Sequence, residues 1–206
     1  MKVGGIVLCG GESRRMGRPK AWLPFGDEVL LQRVVRILHN VVDPVVVVAA
    51  TGQDLPLLPP SVAVVRDAHK ARGPLEGLAA GLERLASCGV DAAFASSTDV
   101  PFLEPAFVRR MIEYLGEQSI AVPFADDRHH PLAAVYRTSV LTAVQRLLSE
   151  NRLRPVFLFD AVPTRVVQAM ELVDADPQLR TLWNLNTPAD YESALASCTE
   201  LGSTHD

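Results

Sequence analysis

The sequence predicts an α/β protein: a single three-layer α/β/α domain on a mostly parallel sheet. Three observations carry that expectation. Apolar strand-like runs alternate with helix-periodic segments along the chain, as when helices cover both faces of a sheet. The strand-like runs, above all the four valines Val45 to Val48, have few polar interruptions, as in parallel strands buried on both sides. Loops rich in glycine, charge or histidine follow several strand-like runs, at the strand ends where open α/β sheets bind ligands.

The elements follow in order. Residues 3–9 form an apolar strand, and residues 28–40 carry leucines and valines at helical spacing. Residues 44–50 and 62–65 are further strands, and 75–88 a helix. Residues 92–97 make a short strand, and 104–115 a helix opened by Glu104-Pro105, since proline suits a first helical turn. Strands are expected at 119–123, 132–136 and 164–168, and helices at 139–150 and 188–197. One domain spans residues 1–197, and residues 198–206 form a polar tail expected to fray.

Composition narrows the function. The chain has 206 residues, 48% hydrophobic and 21% charged, enough apolar mass for one sizeable core. A net charge of −4 argues against general affinity for nucleic acid or an anionic membrane. Cys9, Cys88 and Cys198 lie far apart with no CxxC pair, against a disulfide framework or zinc site and in keeping with a reducing cytoplasm. No signal-peptide core and no apolar run of membrane-spanning length is present, so a cytoplasmic location is expected.

The loop after the first strand is the strongest chemical signal. It reads Gly10-Gly11-Glu12-Ser13-Arg14-Arg15-Met16-Gly17-Arg18-Pro19-Lys20. Glycine lets backbone pass close to a phosphate, and the neighbouring cations make a receptor for polyphosphate. A Walker loop needs Gly-Lys-Ser/Thr, and Gly17 is followed by Arg18; the three-glycine dinucleotide fingerprint is also missing. The loop is thus a phosphate cradle of another kind. Lys20 suits neutralising a phosphate as a point charge, and equally a solvated surface position.

Asp99, straight after a strand in Ser97-Thr98-Asp99-Val100-Pro101, fits a hard-oxygen magnesium ligand, and equally a cap or turn before the next helix. Asp67 precedes Gly73-Pro74-Leu75-Glu76-Gly77, where glycines 73, 77 and 81 would admit a close ligand or merely shape a turn and helix start. His129 and His130 are adjacent, so they point to opposite sides of an extended strand and suit a loop lining the pocket better than one metal. Asn184 and Asn186 share one side of an extended segment, with Asn186 a candidate for the pocket or the metal's surroundings. Thr187 reads as the cap of a helix opened by Pro188.

Together these segments resemble a known family. Leu8-Cys9-Gly10-Gly11-x-Ser-Arg-Arg-Met-Gly-x-Pro-Lys20, continued by Pro24-Phe25-Gly26, is similar to the leading motif of cytidylyl- and guanylyl-type nucleotidyltransferases. Asp67 with Gly73-Pro74-Leu75-x-Gly77, then Asp99-Val-Pro-Phe, His130-Pro131 and Asn184-x-Asn186-Thr187-Pro188-x-Asp190 resemble the molybdenum-cofactor guanylyltransferases within that group.

The resemblance implies a Rossmann-like nucleotidyltransferase fold and transfer of GMP from GTP to a molybdopterin-type cofactor, with Mg2+ as the metal. It implies Arg15, Lys20 and Asp99 as catalytic residues, with Asp99 the metal ligand. It implies nucleotide or cofactor contacts from Leu8, Cys9, Gly10, Gly11, Lys20, Asp67, Gly73, Pro74, Gly77, Asp99, Asn184 and Asn186, with base contacts from the backbone of Leu8 to Gly10. Partner proteins would be those of cofactor synthesis or the molybdoenzymes themselves.

Two positions depart from the family pattern. Cys9 stands where alanine is frequent. Val47-Val48-Ala49-Ala50-Thr51 lacks the asparagine often found near the nucleotide. Cytidylyl transfer to molybdopterin, transfer to another phosphorylated small molecule, and a non-catalytic nucleotide-binding role are the competing readings.

Overall fold

A computed structural model describes residues 1–9, 17–67 and 73–202. Gly10, Gly11, Arg14 and Arg15 of the basic loop therefore lie outside the described residues, as do residues 68–72 and 203–206.

The first half of the chain contains β1 (Val3–Leu8), β2 (Pro24–Phe25), β3 (Glu28–Val29), α1 (Leu30–His39), β4 (Val45–Ala50), β5 (Ala63–Asp67) and α2 (Pro74–Ala86). The second half contains β6 (Ala92–Ser97), α3 (Pro105–Leu115), β7 (Ile120–Ala125), β8 (Arg128–His129), β9 (Ala134–Arg137), α4 (Leu141–Ser149), α5 (Val156–Ala161), β10 (Thr164–Gln168) and α6 (Pro188–Gly202).

The main sheet runs β10-β7-β9-β6-β1-β4-β5. Pairings β1 with β4, β1 with β6, β4 with β5 and β7 with β10 are parallel, and only β9, between β6 and β7, and the short β8 run against them. The expected mostly parallel α/β architecture is therefore the one observed. From β1 the chain moves outward to β4 and β5, then crosses back through α2 to β6 on the other side of β1. The carboxyl ends of β1 and β6 thus form a switch point, where such sheets open a crevice.

The strand residues explain the layers. Successive side chains on a strand face opposite ways. Val7, Val45 and Val47 enter one core with Leu31, Val34 and Leu38 of α1 and Phe107 and Met111 of α3. Ile6, Val46 and Val48 enter the other with Leu75, Leu78 and Leu82 of α2 and Val144 and Leu147 of α4. Close approach of helix to sheet needs small residues. A Cβ at Gly5 would stand 2.6 Å from Leu38 Cδ2, and one at Gly81 2.8 Å from Ile6 Cγ2.

Several boundaries differ from the sequence expectation. Glu28 and Val29 leave the expected helix to pair with Pro24 and Phe25 as a hairpin. The sequence reading gave no element at residues 156–161, where α5 forms after Pro155. The last helix continues to Gly202, past the expected end at Ser197. Among the described residues, no helix is long and apolar enough to cross a membrane.

Candidate active site

The ends of β1, β5, β6 and β7 lie along one edge of the sheet because these strands are mutually parallel. Asp99 sits two residues beyond β6, and its carboxylate is held from three sides. Ser97 Oγ donates to Asp99 Oδ1 at 2.6 Å, Asn184 Nδ2 donates to the same oxygen at 3.2 Å, and Lys20 Nζ meets Oδ2 at 2.6 Å. The Lys20 and Asp99 side chains are 20% and 14% exposed, so this ion pair is partly shielded and stronger than a surface pair.

Each partner has a local reason for its place. Lys20 begins a 3-10 turn, Lys20–Trp22, whose Leu23 amide bonds back to the Lys20 carbonyl. Leu23 and Phe25 then anchor the segment in a small cluster with Phe102 and Leu185. Asn184 is held through its neighbour, since the Leu185 amide donates to the backbone carbonyl of Asp99 itself at 2.9 Å. Behind it, Asp176 is buried and accepts from the amides of Arg180 and Thr181. That turn sets the Arg180 guanidinium 3.7 Å over the Phe102 ring, on which Trp183 also stacks. Arg33 of α1 donates to the Pro101 carbonyl at 2.7 Å and lies over Phe25. The loop carrying Asp99 is therefore pinned from both sides.

The switch point is cross-linked too. The Leu8 carbonyl accepts from both the amide and the hydroxyl of Thr98, which fills its two lone pairs. The Cys9 amide donates to the Val48 carbonyl, and the Cys9 carbonyl accepts from Gln53 Nε2 at 3.0 Å, leaving one lone pair free of these bonds. Gln53 Oε1 accepts in turn from the Ala50 amide, so one side-chain amide bridges the ends of β1 and β4. It stands just past the stretch that lacks an asparagine. The sequence offered little to find it beyond the Thr51-Gly52 turn, in which Gly52 has φ +77°. Burial pushes the Cys9 thiol above its ordinary pKa, so it stays protonated and packs as a small apolar group.

The other expected site residues separate. Asp67 ends the edge strand β5, with β4 and β1 between it and β6, and its carbonyl accepts from Thr51 Oγ1. Gly73 has φ +75° and precedes Pro74 at the start of α2, a backbone conformation that favours glycine. Gly77 and Gly81 lie against the sheet: a Cβ on Gly77 would meet Leu8 Cδ2 at 3.2 Å, and one on Gly81 would meet Ile6. Their smallness serves the contact of helix with sheet. Asn186 reaches the Asn184 carbonyl at 3.4 Å and not the Asp99 carboxylate. Thr187 and Asp190 cap α6 reciprocally: Thr187 Oγ1 accepts from the Asp190 amide, and Asp190 Oδ2 from the amides of Asn186 and Thr187. The backbone donors, Asn186 first, hold the Asp190 carboxyl below its ordinary pKa.

On the β7 side, Asp126 and Asp127 both have positive φ and close a tight hairpin between β7 and β8. His129 packs edge-on to Phe124 and tilted against Phe159, each 5.1 Å away between ring centres. His130 points elsewhere: it is buried, with Nε2 bonded to the Ala125 carbonyl, and burial lowers its pKa so that it is neutral at pH 7. Among the described residues no three His, Cys, Asp or Glu side chains cluster as a metal cage. The arrangement around Asp99 offers one carboxylate, which suits a cation shared with a ligand's phosphates.

Comparison with known proteins agrees with this geometry. The model of the MobA-like NTP transferase domain matches residues 5–164. A relative from Mycobacterium avium strain 104, described as a probable molybdenum cofactor guanylyltransferase, is 37% identical over 197 residues, covering 94% of this chain and 95% of its own. The fold is that of molybdopterin-guanine dinucleotide biosynthesis protein A from Archaeoglobus fulgidus, with a TM-score of 0.78 at 20% identity, over 96% of this chain and 99% of that one. A Mycobacterium tuberculosis H37Rv protein crystallised in complex with manganese matches with a TM-score of 0.63 at 19% identity, over 96% and 100% of the two chains. The chain belongs to the MobA-like NTP transferase family.

Proposed function

We propose that this protein is a molybdenum cofactor guanylyltransferase. A phosphate oxygen of the molybdopterin-type acceptor attacks the α-phosphorus of GTP. The bond from that phosphorus to the oxygen bridging to the β-phosphate breaks, and pyrophosphate leaves with the electron pair. The dinucleotide product retains the acceptor phosphate and the GMP phosphate in a new P–O–P link. The observation that carries this reading is the convergence of Lys20, Ser97, Asp99 and Asn184 at the switch point of the sheet, in a chain of this family.

Such a transfer needs positioning and charge neutralisation more than covalent catalysis. Lys20, with Arg15 of the basic loop, neutralises the phosphates. Asp99 holds Mg2+, which would lend positive charge to the α-phosphate and the leaving group. The single carboxylate fits this role, since magnesium takes one or two protein carboxylates together with substrate phosphates. Ser97 and Asn184 donate to Oδ1 and so fix the carboxylate's rotation, leaving Oδ2 toward Lys20. Gly10 and Gly11 bring backbone to the nucleotide, with the remaining lone pair of the Cys9 carbonyl available to a base N–H. Asp67, Gly73 and Pro74 are assigned further nucleotide or cofactor contacts, Gly73 and Pro74 lining a cavity together with Arg128 and His129. The role suits a cytoplasmic enzyme that hands its product to cofactor-synthesis proteins or molybdoenzymes.

The test is pyrophosphate release by the purified protein. It should require GTP, molybdopterin and a divalent cation together, with Mg2+ supporting turnover. Binding of GTP and molybdopterin without pyrophosphate would instead indicate a carrier of nucleotide or cofactor.

A further inference from the structure

The crevice end of β1 has little backbone left to offer a ligand. The Leu8 carbonyl holds the amide and the hydroxyl of Thr98, so both its lone pairs are taken. The Cys9 amide is spent on the Val48 carbonyl. Of these groups it is the Cys9 carbonyl that keeps a lone pair, and its side-chain partner among the described residues is Gln53, whose Nε2 donates at 3.0 Å.

The half-buried Gln53 side chain is held at both ends of its amide. Oε1 accepts from the Ala50 amide at 3.1 Å, which turns Nε2 toward the Cys9 carbonyl and, at 3.4 Å, the Cys9 sulfur. A backbone N–H can meet only the amide oxygen and a carbonyl only the amide nitrogen, so the two partners settle the orientation. The Gln53 backbone is fixed as well. Its amide donates to the Ala50 carbonyl at 3.1 Å, and Arg66 Nη1 donates to the Gln53 carbonyl at 2.7 Å and to the Ala50 carbonyl at 3.1 Å. Arg66 from β5 and the turn after β4 thereby brace one side chain against the end of β1. The next residue, Asp54, accepts from Trp22 Nε1 at 3.2 Å through its backbone carbonyl, so the tie to the Lys20–Trp22 turn does not depend on the Gln53 side chain.

We infer that Gln53 is a positioning residue for base selection, an assignment that rests on the guanylyl-transfer reading above. It aims the Cys9 carbonyl, and that carbonyl tests the nucleotide for an N–H on its base. Guanine presents N1–H and a 2-amino group side by side. Adenine has a bare acceptor nitrogen at N1, and cytosine has one at N3. A carbonyl held in place against such a nitrogen sets two acceptors face to face, and neither has water to turn to. Selection therefore depends on the carbonyl being unable to swing away, which is what the Gln53 bridge secures. Gln53 thus serves the stretch that lacks an asparagine, acting through the backbone and not on the base.

The test measures binding to the whole protein by calorimetry, with competition for weak ligands. Gln53→Met keeps the length of the side chain and removes its donor and acceptor. The Kd for GTP should rise about tenfold, and that for ITP, which keeps N1–H, should rise with it. The Kd values for ATP and CTP should stay within about twofold, so the preference for guanine narrows. Inorganic tripolyphosphate should bind as before, which also reports a folded phosphate site. Gln53→Ala, at a half-buried turn position, repeats the loss and keeps the test decisive if Gln53→Met fails to fold. An unchanged ratio of GTP to ATP and CTP affinities, or equal losses for GTP and tripolyphosphate, would overturn the assignment. Wild-type protein that prefers GTP in binding but releases no pyrophosphate with molybdopterin would overturn the transferase reading and leave the role of Gln53 standing. Wild-type protein without a preference for GTP would overturn both.

Discussion

Asp99 takes its orientation from three other side chains, and its pairing with Lys20 leads to two predictions. Asp99→Asn preserves shape but removes the charge that faces Lys20, so kcat should fall on the order of 100-fold or more with the far-UV circular dichroism unchanged. A folded variant with near-normal turnover would exclude Asp99 as the metal ligand. Lys20→Ala should weaken GTP binding far more than guanosine binding, and the difference should shrink as salt is added, because the lost partner is phosphate charge. Equal losses for nucleotide and nucleoside in calorimetry would remove Lys20 from the phosphate site.

His130 is a residue-scale case of pH dependence. Burial lowers its pKa in the folded protein, so the fold favours the neutral ring. The stability this contributes is present above the unfolded value of about 6.5 and is lost as pH falls through the folded value. Urea unfolding at pH 7.5 and 5.5 should show a loss in the parent protein that is smaller in His130→Gln. The same loss in both would assign the pH dependence to other groups.

At the scale of elements, the sheet sets tight limits where helices cross it. Gly5→Ala forces a methyl within 2.6 Å of a fully buried Leu38 atom, so it should cost about 1–3 kcal/mol in equilibrium unfolding. Thr187→Ala removes the acceptor for the Asp190 amide and should cost about 1 kcal/mol, with the nucleotide site unaffected. The buried strands were legible from sequence because their apolar runs have no other explanation. The Pro24–Phe25 and Glu28–Val29 hairpin was not, since two-residue strands leave no periodicity and Glu28 looked like the start of α1. The helix α5 was not legible for a related reason. Six residues, Val-Phe-Leu-Phe-Asp-Ala, are too few for a helical stripe, yet they supply Phe159 to a cavity of about 540 Å³.

At the scale of the whole molecule, the chemistry lies where the chain reverses its direction of travel across the sheet. Motif spacing brought out Lys20 and Asp99 as separate candidates 79 positions apart, and the fold joins them at 2.6 Å. Asn184 was legible from its motif but its role was not, because its contact depends on the Leu185 amide bonding to Asp99 across the closed fold. Gln53 and Arg33 carried no motif at all; both act through backbone carbonyls, which sequence patterns do not mark. Gly77 is a motif glycine whose smallness also serves packing against Leu8, which the motif did not reveal. The fold follows from apolar pattern alone, whereas the site depends on loops whose meeting is fixed only by the packed sheet.

The guanylyl-transfer reading leads to one decisive assay. The purified protein is given equal GTP, CTP and ATP with molybdopterin and Mg2+, and the dinucleotide products are identified by mass. A site that pairs the polar groups of one base rejects analogues that leave them unpaired. Guanine dinucleotide should therefore predominate, formed in step with pyrophosphate. Cytosine dinucleotide formed as readily as the guanine product, or more so, would contradict the guanylyltransferase reading.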